Sequence, residues 1–238
     1  MIGIVVVSHS PALADAAVAL ALEMAGATPP PIAVAAGAGD GVTGTDAVRV
    51  AAAIDEVASP DGVLVFMDLG SAVLSASMAL EFVESTIEVR LSGAPFVEGV
   101  VAGVVLAAAG ASLDEADREA SGAMVAKNAQ LEPAGAGVAA TSDGPGPSAN
   151  AADVTLVNPL GLHARPAAAV VAALAEVDAD VTVSTGERSV SAKSLMGLMS
   201  LGAGAGTVLH VEASGPDAAT AVETLRLMAE NGFGEMEG

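Results

Sequence analysis

Asn158-Pro159-Leu160-Gly161-Leu162-His163-Ala164-Arg165-Pro166-Ala167 closes an apolar run and opens a helix. Residues 154–157 before it read as a strand, and 164–177 as a helix. Pro166 fits a first helical turn, whose amides have no intrahelical partner. Those amides and the Arg165 guanidinium suit a dianionic phosphoryl group, which the His163 imidazole can accept as a nucleophile. Standing alone, a histidine at a helix start is usually a cap.

Further along, 181–184 and 189–191 flank the turn Thr185-Gly186-Glu187, a hairpin signal. Residues 193–201 read as a short helix, 207–213 as a strand, and 217–230 as a final helix opened by Gly215-Pro216. The order βαββαβα predicts an α+β open-faced sandwich, an antiparallel sheet with helices on one face.

Upstream, residues 129–152 lose all periodicity and are rich in Ala, Gly, Pro and Ser, a linker composition spanning roughly 25–30 Å. They separate a domain at 1–128 from one at 153–238. In the first, apolar runs at 2–7, 32–36, 63–67 and 87–91 alternate with helical stretches at 11–24, 46–58 and 72–84, and helices fill the rest. Ser10 and Thr45 are the expected N-caps of the first two helices. Strands apolar on both faces, alternating with helices, predict an α/β domain with a mainly parallel sheet covered on both sides.

Ligands of such sheets bind beyond the carboxyl ends of the strands. His9 follows the first strand there, and Asp68 the third. If those strands are neighbours, Asp68 accepts a hydrogen bond from one imidazole nitrogen and leaves the other as a nucleophile. The amides of the helix starting at Pro11 then aim at the same spot. The plainer reading makes His9 a polar loop residue and Asp68 a helix cap. His210, inside the strand 207–213, faces solvent or the sheet and is given no chemical role.

Composition excludes several functions. With 8 Lys+Arg against 29 Asp+Glu, net charge −21, the chain lacks the basic footprint that nucleic acid or an anionic membrane requires. It has no cysteine, hence no disulfide framework or thiolate zinc site, and no metal site is expected. The apolar start lacks a basic n-region, and the run 99–112 is too short to span a bilayer and reads as a buried helix, in which 100–111 could be core or interface. We expect a soluble, cytoplasmic protein. Gly39-Asp40-Gly41-Val42-Thr43-Gly44 fits G-x-G-x-x-G, but its third glycine precedes the cap Thr45 and Asp40 would face a pyrophosphate. We read it as a flexible loop. No P-loop is present, so the chain is not expected to be an autonomous ATP kinase.

Residues 153–236 resemble the phosphocarrier HPr of the phosphoenolpyruvate-dependent phosphotransferase system, on the opening motif together with Ala192-Lys193-Ser194-Leu195-Met196-Gly197-Leu198-Met199-Ser200-Leu201. The resemblance implies that His163 accepts phosphate from Enzyme I, that Arg165 steadies it, and that Leu195, Met196 and Met199 form part of a docking face. It also matches Ser194 to a serine that a regulatory kinase modifies in some HPr proteins, although capping alone explains a serine there.

Residues 1–128 resemble the mannose-type IIA domain and, more closely, the phosphotransferase subunit of phosphoenolpyruvate-dependent dihydroxyacetone kinases. The carrying segments are Val7-Ser8-His9-Ser10, Gly44-Thr45-Asp46-Ala47-Val48, Met67-Asp68-Leu69-Gly70-Ser71-Ala72 and Ala94-Pro95-Phe96-Val97-Glu98-Gly99. This resemblance implies a relay from His163 to His9, and from there to ADP held with Mg by the kinase's nucleotide-binding subunit. It also implies a separate Enzyme I, a homodimer formed through the N-terminal domain, and no cofactor bound by this chain. Two other acceptors fit the same chemistry: the IIB subunit of a mannose-type sugar transporter, or a transcriptional regulator.

Overall fold

In the computed structural model, which describes residues 1–39, 42–131, 150–186 and 188–235, four parallel strands form the first sheet. They are β1 (Gly3–Ser8), β2 (Ile32–Ala36), β3 (Val63–Met67) and β4 (Val89–Leu91), in the order β2-β1-β3-β4. Every residue of β1 and β3 is buried, because helices cover both faces. Val5, Val7, Val63, Val65 and Met67 pack with α2 (Ala47–Glu56) and α3 (Gly70–Ala79). Leu64 and Phe66 point the other way, toward α4 (Phe96–Ala108), which packs on α1 (Pro11–Leu22). A Cβ on Gly103 would press into the Phe66 ring, 2.7 Å from Cε2, so glycine there is what lets α4 approach the sheet. The run 99–112 thus lies largely in α4, where Val100, Ala102, Val104 and Ala107 are fully buried as core.

Several boundaries differ from the sequence reading. Asp46, not Thr45, caps α2, accepting from the amides of Val48 (2.8 Å) and Arg49 (3.2 Å). The Thr45 hydroxyl turns instead to Ser75 Oγ (2.7 Å). α3 begins before Ala72 and stops well short of Glu84; beyond it, the Asp55 carboxylate takes the amides of Glu84 (3.1 Å) and Ser85 (2.9 Å). Ile87 precedes β4 and packs against the core beside the ladder.

The chain divides into two compact units, Met1–Met124 and Val125–Gly238. α5 (Leu113–Leu131) runs past the expected start of the linker, and β5 (Asn150–Thr155) begins before its expected end. The remainder of that segment lies outside the described residues, as do Asp40 and Gly41 of the glycine loop and Glu187 of the hairpin.

The second unit holds an antiparallel sheet in the order β5-β8-β6-β7, with β6 (Asp180–Thr185), β7 (Arg188–Ser191) and β8 (Val208–Ser214). Along β8, Leu209, Val211 and Ala213 are buried while Val208 and His210 are exposed, the two-residue period of a half-covered sheet. The helices are α6 (Ala164–Ala173), α7 (Leu195–Ser200) and α8 (Ala218–Glu230). The architecture is that expected: a parallel sheet with helices, then an HPr-like antiparallel sheet with helices. His210 lies on the open face against its cross-strand partner Asp153, Nδ1 to Oδ1 2.7 Å. Hydrogen bonds to Asp153 and Glu212 push its imidazole up from its ordinary value. Among the described residues, no helix is long and apolar enough to cross a membrane.

Candidate functional site

β1 and β3 are direct neighbours, with Val7 opposite Met67, so the residues that follow them meet. His9 Nδ1 lies 2.8 Å from Asp68 Oδ1. Asp68 also accepts from the His9 amide (2.9 Å), the Ser8 hydroxyl (2.9 Å) and the Leu69 amide (2.6 Å). Burial pushes the Asp68 carboxyl up, but hydrogen bonds from the His9 amide and imidazole, the Leu69 amide and Ser8 outweigh it and hold the group below the usual carboxylate range. A carboxylate only accepts, so Nδ1 carries the hydrogen and Nε2 keeps the lone pair. The Ser71 hydroxyl donates to that Nε2 at 2.5 Å.

Ser71 stands in the first turn of α3, whose N-cap residue Leu69 supplies no side-chain cap. A helix N-terminus and a hydroxyl thus adjoin the one imidazole nitrogen that has a lone pair, a setting that stabilises an added dianion. The sequence reading assigns this role to α1. In the structure the Ser10 hydroxyl caps α1, accepting from the Leu13 amide, and α3 is the helix that meets Nε2. Ser71 was not singled out from the sequence, where a serine at a helix start reads as an ordinary polar residue. Thr45, from the loop before α2, joins this cluster through Ser75 and the Ser71 carbonyl (3.4 Å).

His163 is the N-cap residue of α6, yet its imidazole makes no capping bond. Its Nε2 meets the carboxylate of Glu235 instead, 2.9 Å from Oε1 and 3.1 Å from Oε2. Asn158, fully buried, donates from Nδ2 to the Gly161 carbonyl (2.7 Å) and to Glu235 Oε2 (2.9 Å). Burial pushes the Glu235 carboxyl up, but hydrogen bonds from Asn158 and His163 and the positive charge of Arg165 hold it low. Nε2 therefore carries the hydrogen here, and Nδ1 keeps the lone pair.

His163 borders a hollow of about 450 Å³ with Leu160, Arg188, Met199 and Ala203. Gly161 has φ +66°, and a Cβ there would lie 2.6 Å from Gly204 Cα, so glycine alone lets this loop close over residues 203–204. Arg165 sits in the first turn of α6. Ser194 caps α7, its Oγ accepting from the Gly197 amide at 2.8 Å. Glu235 and Arg188 escape the sequence reading. Glu235 is 72 residues from His163 and arrives through the Gly232–Gly234 turn, where Phe233 adopts φ +55°. Among the described residues, no cluster of three or more His, Cys, Asp or Glu could hold a metal ion.

Residues 151–231 match the family described as the PTS HPr component phosphorylation site. Over 83 residues the chain is 43% identical to a phosphocarrier protein HPr of Xylella fastidiosa, covering 35% of this chain and 93% of that relative. The chain belongs to the HPr family. Ahead of the HPr domain, residues 3–117 match the EIIA-man family, described as the PTS system fructose IIA component. Both parts are found together in relatives named "PEP-dependent dihydroxyacetone kinase, phosphoryl donor subunit DhaM". One from Pantoea ananatis is 40% identical over 241 residues, covering 99% of this chain and 51% of the relative. One from Escherichia coli is 38% identical over 243 residues, covering 100% and 52%. The chain spans about half the length of these curated relatives.

Proposed function

We propose that the chain is the phosphoryl donor subunit of a phosphoenolpyruvate-dependent dihydroxyacetone kinase, a phosphotransferase that works by an ordered two-histidine relay. The observation that carries this reading is a pair of imidazoles, each with one nitrogen held by a carboxylate and the other left with its lone pair. His163 takes a phosphoryl group from Enzyme I on Nδ1. His9 Nε2 then attacks that phosphorus; the new N–P bond forms as the old one breaks, and the electron pair returns to His163 Nδ1. The bonds made and broken are alike, so the transfer is near balance, and catalysis rests on positioning and anion stabilisation. From His9 the phosphoryl group passes to ADP, bound with Mg in the nucleotide-binding subunit, for delivery to dihydroxyacetone. In this scheme Ser71 and the α3 N-terminus stabilise the group on His9, and Arg165 steadies it on His163.

The acceptor is tested by mixing the phosphorylated chain with the kinase's nucleotide-binding subunit and ADP, with a mannose-type IIB subunit, or with a candidate regulator. Rapid loss of label only in the first mixture is the expected result; loss only to IIB or the regulator contradicts it.

The Asp68–His9 pair has its own test. In Asp68→Asn the amide NH₂ can face Nδ1, moving the hydrogen to Nε2 and blocking attack. Labelling of His9 is expected to slow by roughly 10–100-fold, in line with other carboxylate–histidine pairs. Because the folded-state carboxyl of Asp68 is depressed, its stabilisation is present above the unfolded carboxylate value and disappears as pH falls through the lower folded value. Unfolding midpoints of wild type and Asp68→Asn should therefore differ near neutrality and converge in acid.

A further inference from the structure

Both ends of the glycine loop between β2 and α2 are tied to the strand that carries His9. The Gly37 amide donates to the Ser8 carbonyl at 3.0 Å, and the Gly44 amide to the His9 carbonyl at 3.2 Å. The Arg49 guanidinium of α2 donates to the Gly37 carbonyl at 3.1 Å. A Cβ on Gly44 would lie 2.9 Å from that of Ala38, so glycine lets the two ends run this close. The next residue, Thr45, is half-buried and reaches across to α3. Its Oγ1 is 2.7 Å from Ser75 Oγ and donates to the Ser71 carbonyl at 3.4 Å. The Thr45 hydrogen goes to the carbonyl and the Ser75 hydrogen to Thr45, so both bonds are made at once. That carbonyl belongs to the residue whose hydroxyl meets His9 Nε2. The loop thus grips the His9 backbone at one residue and the Ser71 backbone at the next.

We infer that Thr45, with Ser75, is a positioning residue for the His9 reaction: it fixes the first turn of α3 so that the Ser71 hydroxyl stays at Nε2. The inference rests on the reading that His9 takes a phosphoryl group on Nε2. As the bond from Nε2 to phosphorus forms, the donor's N–P bond breaks and its electron pair returns to the donor nitrogen. The Nε2 lone pair is then used up, and the Ser71 hydrogen must turn from nitrogen to a phosphoryl oxygen. That turn is a rotation of the hydroxyl alone only if the Ser71 backbone keeps its place, and Thr45 supplies the hold. Gly44, the third glycine of the G-x-G-x-x-G stretch, thereby serves the histidine rather than a pyrophosphate.

Thr45→Val removes the hydroxyl and keeps the shape. Imidazole ¹⁵N spectra of the full chain, recorded where His9 is neutral, should show its Nε2 resonance moved toward that of an imine nitrogen without a hydrogen bond, as in Ser71→Ala. Thr45→Ser should keep the wild-type position. In a full chain carrying His163→Ala and supplied with phosphorylated HPr, label enters at His9. Its initial rate should fall by about threefold to tenfold on adding Thr45→Val, the equivalent of one ordinary hydrogen bond, and recover with Thr45→Ser. On top of Ser71→Ala, Thr45→Val should cost nothing more, because it acts through Ser71. An Nε2 resonance or a labelling rate that stays put in a Thr45→Val chain with a native amide spectrum overturns the inference, and so does a full further loss on top of Ser71→Ala. Ser75→Ala removes the other end of the same contact and serves, with the same expected results, if Thr45→Val does not fold. Failure of the chain with Thr45 intact to take label counts against the phosphorylation reading itself, and the ¹⁵N comparison then decides the inference alone.

Discussion

His163→Ala should take no label from phosphoenolpyruvate and Enzyme I, falling to background at both histidines. Loss at residue 163 is trivial; the informative loss is at His9. His9 Nε2 lies beside Ser71 at the start of α3, and the proposed relay has it take the phosphoryl group from phosphorylated His163. In an ordered relay Enzyme I has no direct route to it. Separately supplied phosphorylated HPr should therefore restore label to the His163→Ala chain, and only at His9. The variant should remain folded, since the imidazole makes no capping bond for α6 and its removal opens no core cavity.

His9→Ala should give the complementary result, full labelling at His163 and background transfer to ADP on the nucleotide-binding subunit. His163 and its partners Glu235 and Asn158 all belong to the second unit, so the phosphorylation rate of His163 should match wild type. Asp68 keeps three other donors in this variant, the Ser8 hydroxyl and the amides of residue 9 and Leu69, which limits the structural damage. Mixing the two variants distinguishes transfer within a chain from transfer between chains. Recovery of ADP phosphorylation in the mixture shows that a phosphorylated HPr domain on one chain can serve His9 on another.

The two sheets were legible because burial writes itself into the sequence. β1 and β3 are covered on both faces and read as unbroken apolar runs, whereas β8 is covered on one face and alternates. The His9–Asp68 pair was legible for a topological reason: adjacent parallel strands bring their carboxyl ends together. The partner of His163 was not. Glu235 reaches it only because the chain reverses at Phe233 after α8, and no periodicity signals where such a reversal points. Ser71 escapes the sequence because its role depends on which helix faces Nε2, and the sequence reading aims only the helix starting at Pro11 at that spot. The Thr45–Asp46 assignment failed for a simpler reason. Both residues can cap, and the choice turned on the Ser75 hydroxyl waiting for Thr45.

Time-resolved ³¹P NMR of the full chain, phosphorylated by phosphoenolpyruvate and Enzyme I, tests the relay most directly. The account predicts an Nδ1-phosphohistidine signal from His163 that appears first, followed by an Nε2-phosphohistidine signal from His9. An Nε2 signal that rises first, or that forms on an intact His163→Ala chain without added HPr, would contradict it.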